Sequence, residues 1–107
     1  MQHKREKLNS AIREAAGEYL ASKRFENAMV TVTSVNIEGN LSKATVFVTV
    51  YPEKENEKVL RKINRGRGLF AKHVKTKTRI INIPYFNFEI DKGEMHRQRI
   101  DDISKDI

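Results

Sequence analysis

The chain has no cysteine and no tryptophan, two prolines in 107 residues, and aromatic residues at only 7%. Without cysteine there is no disulfide, no thiolate nucleophile and no cysteine-based metal site. So few aromatics also argue against a sheet that stacks a row of bases. No run of consecutive apolar residues exceeds three, Val46-Phe47-Val48 being one example, so no segment is built to span a bilayer. The charged start, Met1-Gln2-His3-Lys4-Arg5-Glu6-Lys7, is followed by no apolar stretch of the secretory kind. The most telling shortage is local: residues 61–79 contain no Asp or Glu.

That same stretch holds eight basic residues: Arg61, Lys62, Arg65, Arg67, Lys72, Lys75, Lys77 and Arg79. The whole chain has 21 basic and 14 acidic residues, net +7, so the remainder carries 13 against 14 and is nearly neutral. A cationic excess confined to one segment is a site for a polyanion, because neutralising phosphates releases condensed counterions. The competing reading is a solvated basic face without a partner. The repulsion among eight uncompensated charges weighs against it.

Charged residues make up 33% of the chain, yet the apolar ones sit in periodic blocks, as in a globular domain. The length fits one domain, residues 1–107, with 93–107 a short C-terminal segment free to flex. Leu8, Ile12, Ala15 and Tyr19, flanked by Ala11, Ala16 and Leu20, recur at helical spacing and predict an amphipathic helix over 4–22. A charged connector ending near Asn27 follows. Residues 29–37 alternate as a strand, but Val30 and Val32 are even-numbered while Val35 and Ile37 are odd, which predicts a β-bulge near Ser34. Glu38-Gly39-Asn40 is a turn. Residues 44–51 form a second strand, with Ala44, Val46, Val48 and Val50 on one face and Thr45, Phe47, Thr49 and Tyr51 on the other. So short a turn makes the pair an antiparallel hairpin.

Pro52 and the acids Glu53, Glu55 and Glu57 mark a helix start. Val59, Leu60 and Ile63 form its inward stripe. Lys58, Arg61, Lys62 and Arg65 share about a third of its circumference on the far side. Gly66-Arg67-Gly68 then predicts a kink. Leu69, Phe70 and Val74 resume the apolar stripe, with Lys72, Lys75 and Arg79 along another side. After Pro84, residues 85–91 alternate as a third strand, Phe86, Phe88 and Ile90 pointing one way. Ile100, Ile103 and Ile107 suggest a short terminal helix. The order α-β-β-α-kink-α-β implies a three-stranded mixed sheet covered on one face by helices, an α+β two-layer sandwich.

Catalytic patterns are missing: no HExxH, GxSxG or phosphate-loop signature occurs, and His3, His73 and His96 are scattered. No metal-ligand spacing or cofactor motif is present; Asp101-Asp102 reads as solvated surface. His73 lies in the basic stretch but is read as an ordinary helix-surface residue. Glycines at 66 and 68 permit a sharp turn and close approach of a phosphate. A helix starting at Gly68 would add free N–H donors; a plain helix joint is the alternative. Phe47 and Tyr51 share a strand face, and core or rim packing is favoured for them over base stacking.

Taken together, the segments Met29-Val30-Thr31-Val32-Thr33-Ser34-Val35 (like ITVTxV), Asn40-Leu41-Ser42-Lys43-Ala44-Thr45-Val46-Phe47-Val48 (like DLxxAxVYV) and Ile83-Pro84-Tyr85-Phe86-Asn87-Phe88-Glu89-Ile90-Asp91 (like xxPxLxFxxD), in this order around a glycine kink and with Arg79 and Ile81, resemble the ribosome-binding factor A family. The resemblance spans nearly the whole chain. It implies a type II KH-like fold in which the usual GxxG loop is replaced by Ala-x-Gly at an interhelical kink. Here glycine, Gly66, stands at the alanine, which implies a looser kink, and Asn40 stands at a frequent Asp. It also implies binding to the free 30S subunit and 16S rRNA, help with late rRNA maturation and 5′-end processing, and a link to growth in the cold, without catalysis.

The residues expected to contact RNA are Arg61, Lys62, Arg65, Gly66, Arg67, Gly68, Lys72, Lys75 and Arg79, in a cytoplasmic protein that is monomeric when free. No cofactor, metal, small-molecule substrate or membrane is expected. The rivals are a generic KH-like RNA-binding or ribosomal protein, an RNA-processing enzyme, and a binder of anionic membrane.

Overall fold

The computed structural model describes the backbone of residues 2–105 and the side chains of residues 5–98 and 100. The chain runs α1 (Gln2–Ser22), β1 (Met29–Glu38), β2 (Lys43–Tyr51), a 3-10 turn (Glu53–Glu55), α2 (Asn56–Arg65), α3 (Arg67–Lys77), β3 (Tyr85–Ile90) and α4 (Lys92–Lys105). The sheet order is β1-β2-β3, with β1 antiparallel and β3 parallel to the central β2. This is the mixed three-stranded sheet the element order requires, since a strand returning through a helical crossover arrives parallel.

The phase slip in β1 is a bulge. Val32 pairs with Val48 and Ser34 with Phe47, leaving Thr33 extra. Val30, Val32, Val35 and Ile37 therefore all face the helices despite their mixed parity, and Val35 and Ile37 are buried. The hairpin turn passes through positive φ at Gly39, Asn40 and Leu41. Asn enters this left-handed region more readily than most residues. A Cβ at Gly39 would sit 2.9 Å from the Ser42 hydroxyl.

One core lies between sheet and helices. Ile12, Ala15, Ala16, Tyr19 and Leu20 of α1 meet Ala44, Val46, Val48 and Val50 of β2, Val59 and Ile63 of α2, and Phe70 and Val74 of α3. Phe70 is its hub: its ring lies 5.2 Å from Tyr19, 4.7 Å from Phe86 and 5.3 Å from Phe88. That cluster locks α3 onto both α1 and β3, and so sets where the kink points. Tertiary packing of this kind, not propensity, holds helices of ten or eleven residues.

Several expectations change. Leu69, placed in the apolar stripe, is 58% exposed, because the break at Gly66 rotates the stripe onto Phe70 and Val74. Tyr51, expected in core or rim packing, is 68% exposed at the strand end, whereas Phe47 on the same face is half-buried as expected, beside buried Thr45 and Thr49. The terminal helix is real but starts at Lys92, capped by Asp91, whose Oδ1 accepts the Glu94 amide at 3.0 Å. Ile100 is exposed; the Ile103 side chain and Ile107 lie outside the described residues, as do the side chains of His3, Asp101 and Asp102. Among the described residues no helix is long and apolar enough to cross a membrane.

Candidate nucleic-acid interface

The kink is a clean break between two helices. α2 ends at Arg65, Gly66 is the shared residue, and α3 starts at Arg67, one residue before the expected Gly68. The Gly66 amide donates to the carbonyls of Lys62 (3.3 Å) and Ile63 (3.0 Å), and its own carbonyl accepts from Phe70 (3.1 Å). Its backbone, φ −92 and ψ 14, has negative φ and so does not demand glycine. A Cβ there would make only an ordinary 3.5 Å contact with the Tyr19 hydroxyl, and one at Gly68 would point into open space. The joint is therefore one that alanine could also form. Gly66, the residue before α3, offers no side chain to cap it.

Cations stand at this joint and along both helices. Arg61, Lys62 and Arg65 stand exposed on the outer side of α2, away from buried Val59 and Ile63. Arg61, Arg65 and Arg67 line one shallow depression on α2, with Glu57 its acidic member. Arg67 is held by two contacts: its Nε donates to the Asn64 carbonyl at 3.0 Å, and its guanidinium carbon lies 5.0 Å from the Tyr85 ring centre. Gly68, Lys72 and Lys75 follow at helical spacing on the exposed side of α3, opposite Phe70 and Val74. No basic residue of this stretch lies within ion-pair distance of a carboxylate among the described residues.

Two placements depart from the sequence-based picture. Arg79 stands past the end of α3, about 16 Å of helix from the joint. There it borders Lys7 and the hairpin turn on one side, and Glu14 and Glu18 of α1 on the other. It belongs to a different patch, because the chain must traverse all of α3 to reach it. His73 is half-buried, not a surface residue: its ring lies 5.5 Å from that of Tyr19, and its Nε2 has no hydrogen-bond partner among the described residues.

Folding also recruits cations that the charge run does not contain. Lys23 and Arg24, in the connector after α1, line the same groove as Lys62, Arg65 and Gly66. Their local sequence, with Glu26 close by, is not conspicuously basic; only the packing of Tyr19 against Phe70 carries them to the joint.

Comparison with known proteins agrees with this architecture. The family model described as ribosome-binding factor A matches residues 4–104. A ribosome-binding factor A of Prochlorococcus marinus is 29% identical over 93 residues, covering 82% of this chain and 76% of its own. One from Natranaerobius thermophilus is 28% identical over 107 residues, covering 97% and 82%. Among solved structures, the crystal structure of ribosome-binding factor A from Thermus thermophilus superposes with a TM-score of 0.71 at 20% identity, covering 79% of this chain and 92% of that one. A Thermus thermophilus ribosome-binding factor A homology model fitted into a cryo-EM map of a 30S complex gives 0.68 at 20% identity, covering 76% and 88%. The fold is thus the type II KH-like sandwich.

Proposed function

The chain belongs to the ribosome-binding factor A family, and from that premise we propose that it is a ribosome-binding factor that docks on the free 30S subunit by gripping 16S rRNA with the joined helix pair. The supporting observation is the set of exposed cations on α2 and α3 without carboxylate partners among the described residues. Arg61, Lys62, Arg65, Arg67, Lys72 and Lys75 contact phosphates, Arg as a two-pronged donor and Lys as a point charge. Gly66 and Gly68 keep the backbone low where the strand passes. Such contacts position the protein without reading bases; selectivity comes from the shape of the folded rRNA. The bound factor assists late 16S maturation and 5′-end processing by holding rRNA, in the cytoplasm and as a monomer when free, with its main demand in the cold. The chemistry of trimming is left to separate nucleases. Arg79, on its own patch, contacts a phosphate apart from those at the joint.

If six phosphates are neutralised, log K against rRNA falls with log salt with a slope of about −4 to −5. A slope near −1, or unchanged affinity on joint replacement Arg65→Glu, Arg67→Glu and Lys72→Glu, overturns the reading. Sucrose-gradient sedimentation of cell lysate distinguishes it from a permanent ribosomal component: the factor co-migrates with free small subunits and is missing from translating ribosomes.

A further inference from the structure

We infer that the groove between the end of α1 and the α2–α3 joint is a seat for one unpaired nucleotide of RNA. Its phosphate would rest on Lys23, Arg24, Lys62 and Arg65, and its base on the apolar floor that includes Phe25 and Leu69. This rests on the rRNA-binding reading above and sharpens it from a charged surface to a defined pocket.

The groove encloses about 340 Å³ and is lined by four cations and no acidic residue. Two of the cations are held in place. The Lys23 ammonium lies 4.9 Å from the centre of the Tyr19 ring, and the Lys62 ammonium 5.5 Å from that of Phe25. A ring attracts an ammonium through its quadrupole but carries no net charge. Both lysines are therefore positioned without being neutralised, unlike lysines fixed by carboxylates. An anion entering between them meets charges already in place, so less side-chain entropy is lost on binding.

The floor decides between kinds of RNA. Leu69 is a large apolar side chain left exposed, and it lines the same groove as the four cations. A duplex presents phosphates outward and hides its base faces, so it would satisfy the cations and leave Leu69 wet. An unpaired nucleotide brings its phosphate and an apolar base face together. The volume is at the small end of ligand sites, about 300–1,000 Å³, which suits one nucleotide and not a base pair.

The test compares an RNA hairpin carrying a single bulged 2-aminopurine with the fully paired hairpin of the same length, at one salt concentration. The bulged RNA should bind about tenfold tighter, with a change in 2-aminopurine fluorescence. Leu69→Ser, an uncharged change at an exposed position, should cut that advantage to less than twofold without altering the salt slope. Arg13→Ala, which removes a cation of α1 outside the groove, should keep the advantage. Equal binding of both hairpins with a steep salt slope overturns the pocket and leaves rRNA binding standing. So does an advantage that survives Leu69→Ser, or an acidic peptide that displaces the bulge as well as RNA does. Weak, salt-insensitive binding of both hairpins overturns the pocket together with the reading beneath it.

Discussion

At Gly66 the protein carries a glycine that its geometry does not require. The backbone there is accessible to alanine, and the nearest obstacle to a Cβ is the Tyr19 hydroxyl at a normal 3.5 Å. Gly66→Ala should therefore raise stability by about 0.4–1 kcal/mol, chiefly by reducing the freedom of the unfolded chain. A higher urea midpoint at unchanged slope checks it. Asp91 is the opposite case, a residue whose side chain is used twice. Its carboxylate accepts the Glu94 amide at the start of α4 and the Thr33 hydroxyl, 2.7 Å away, at the β1 bulge, while its amide donates to the Val48 carbonyl at 2.8 Å. The bond from the Glu94 amide, then that from Thr33, hold its pKa below the ordinary 3.8. A depressed carboxylate pKa stabilises the fold above the unfolded value and loses that contribution as pH falls through the folded one. Asp91→Ala should cost about 0.5–2 kcal/mol at pH 7. The gap from the parent protein should close as pH drops below 3.8, as measured by urea unfolding across that range.

At the scale of elements, both outer strands of the sheet are edges, and helix side chains cover part of each. From α1, Arg5 donates to the Ile37 carbonyl and Asn9 to the Val35 carbonyl, each at 2.6 Å. From α2, Asn64 grips β3 with both ends of its amide: Nδ2 donates to the Phe88 carbonyl at 3.1 Å, and Oδ1 accepts the Phe88 amide at 2.9 Å. An edge closed in this way cannot recruit a foreign strand there. It also ties the end of α2, and so the joint, to the sheet. Asn64→Leu leaves both Phe88 groups unpaired and should cost about 1–3 kcal/mol, read by denaturant titration. Elements were largely legible in the linear pattern because local periodicity reports a buried face. The bulge in β1 was visible as a parity change. The failures, Leu69 and His73, flank Phe70 in α3, where packing against Tyr19 and β3 sets the rotation of a short helix.

For the whole molecule, the uneven charge has a consequence for folding as well as binding. The cations of α2 and α3 have no carboxylate partners in the fold among the described residues, so they repel one another. Raising salt from low concentration should stabilise the free protein while weakening its hold on rRNA. Joint replacement Arg61→Gln, Arg65→Gln and Lys72→Gln should leave stability unchanged or slightly higher and flatten its salt dependence. Thermal unfolding at low and high salt checks this, and a marked loss of stability would mean these side chains have folding roles.

The linear chain was sufficient for the order of elements, the hairpin, a break within Gly66-Arg67-Gly68 and the concentration of positive charge in residues 61–79. Each of these depends on neighbours a few residues apart or on simple composition. It could not decide which cations share a surface. Lys23 and Arg24 lie at the helix joint because the packing of Tyr19 against Phe70 brings the end of α1 to it. That long-range contact leaves no mark on local spacing.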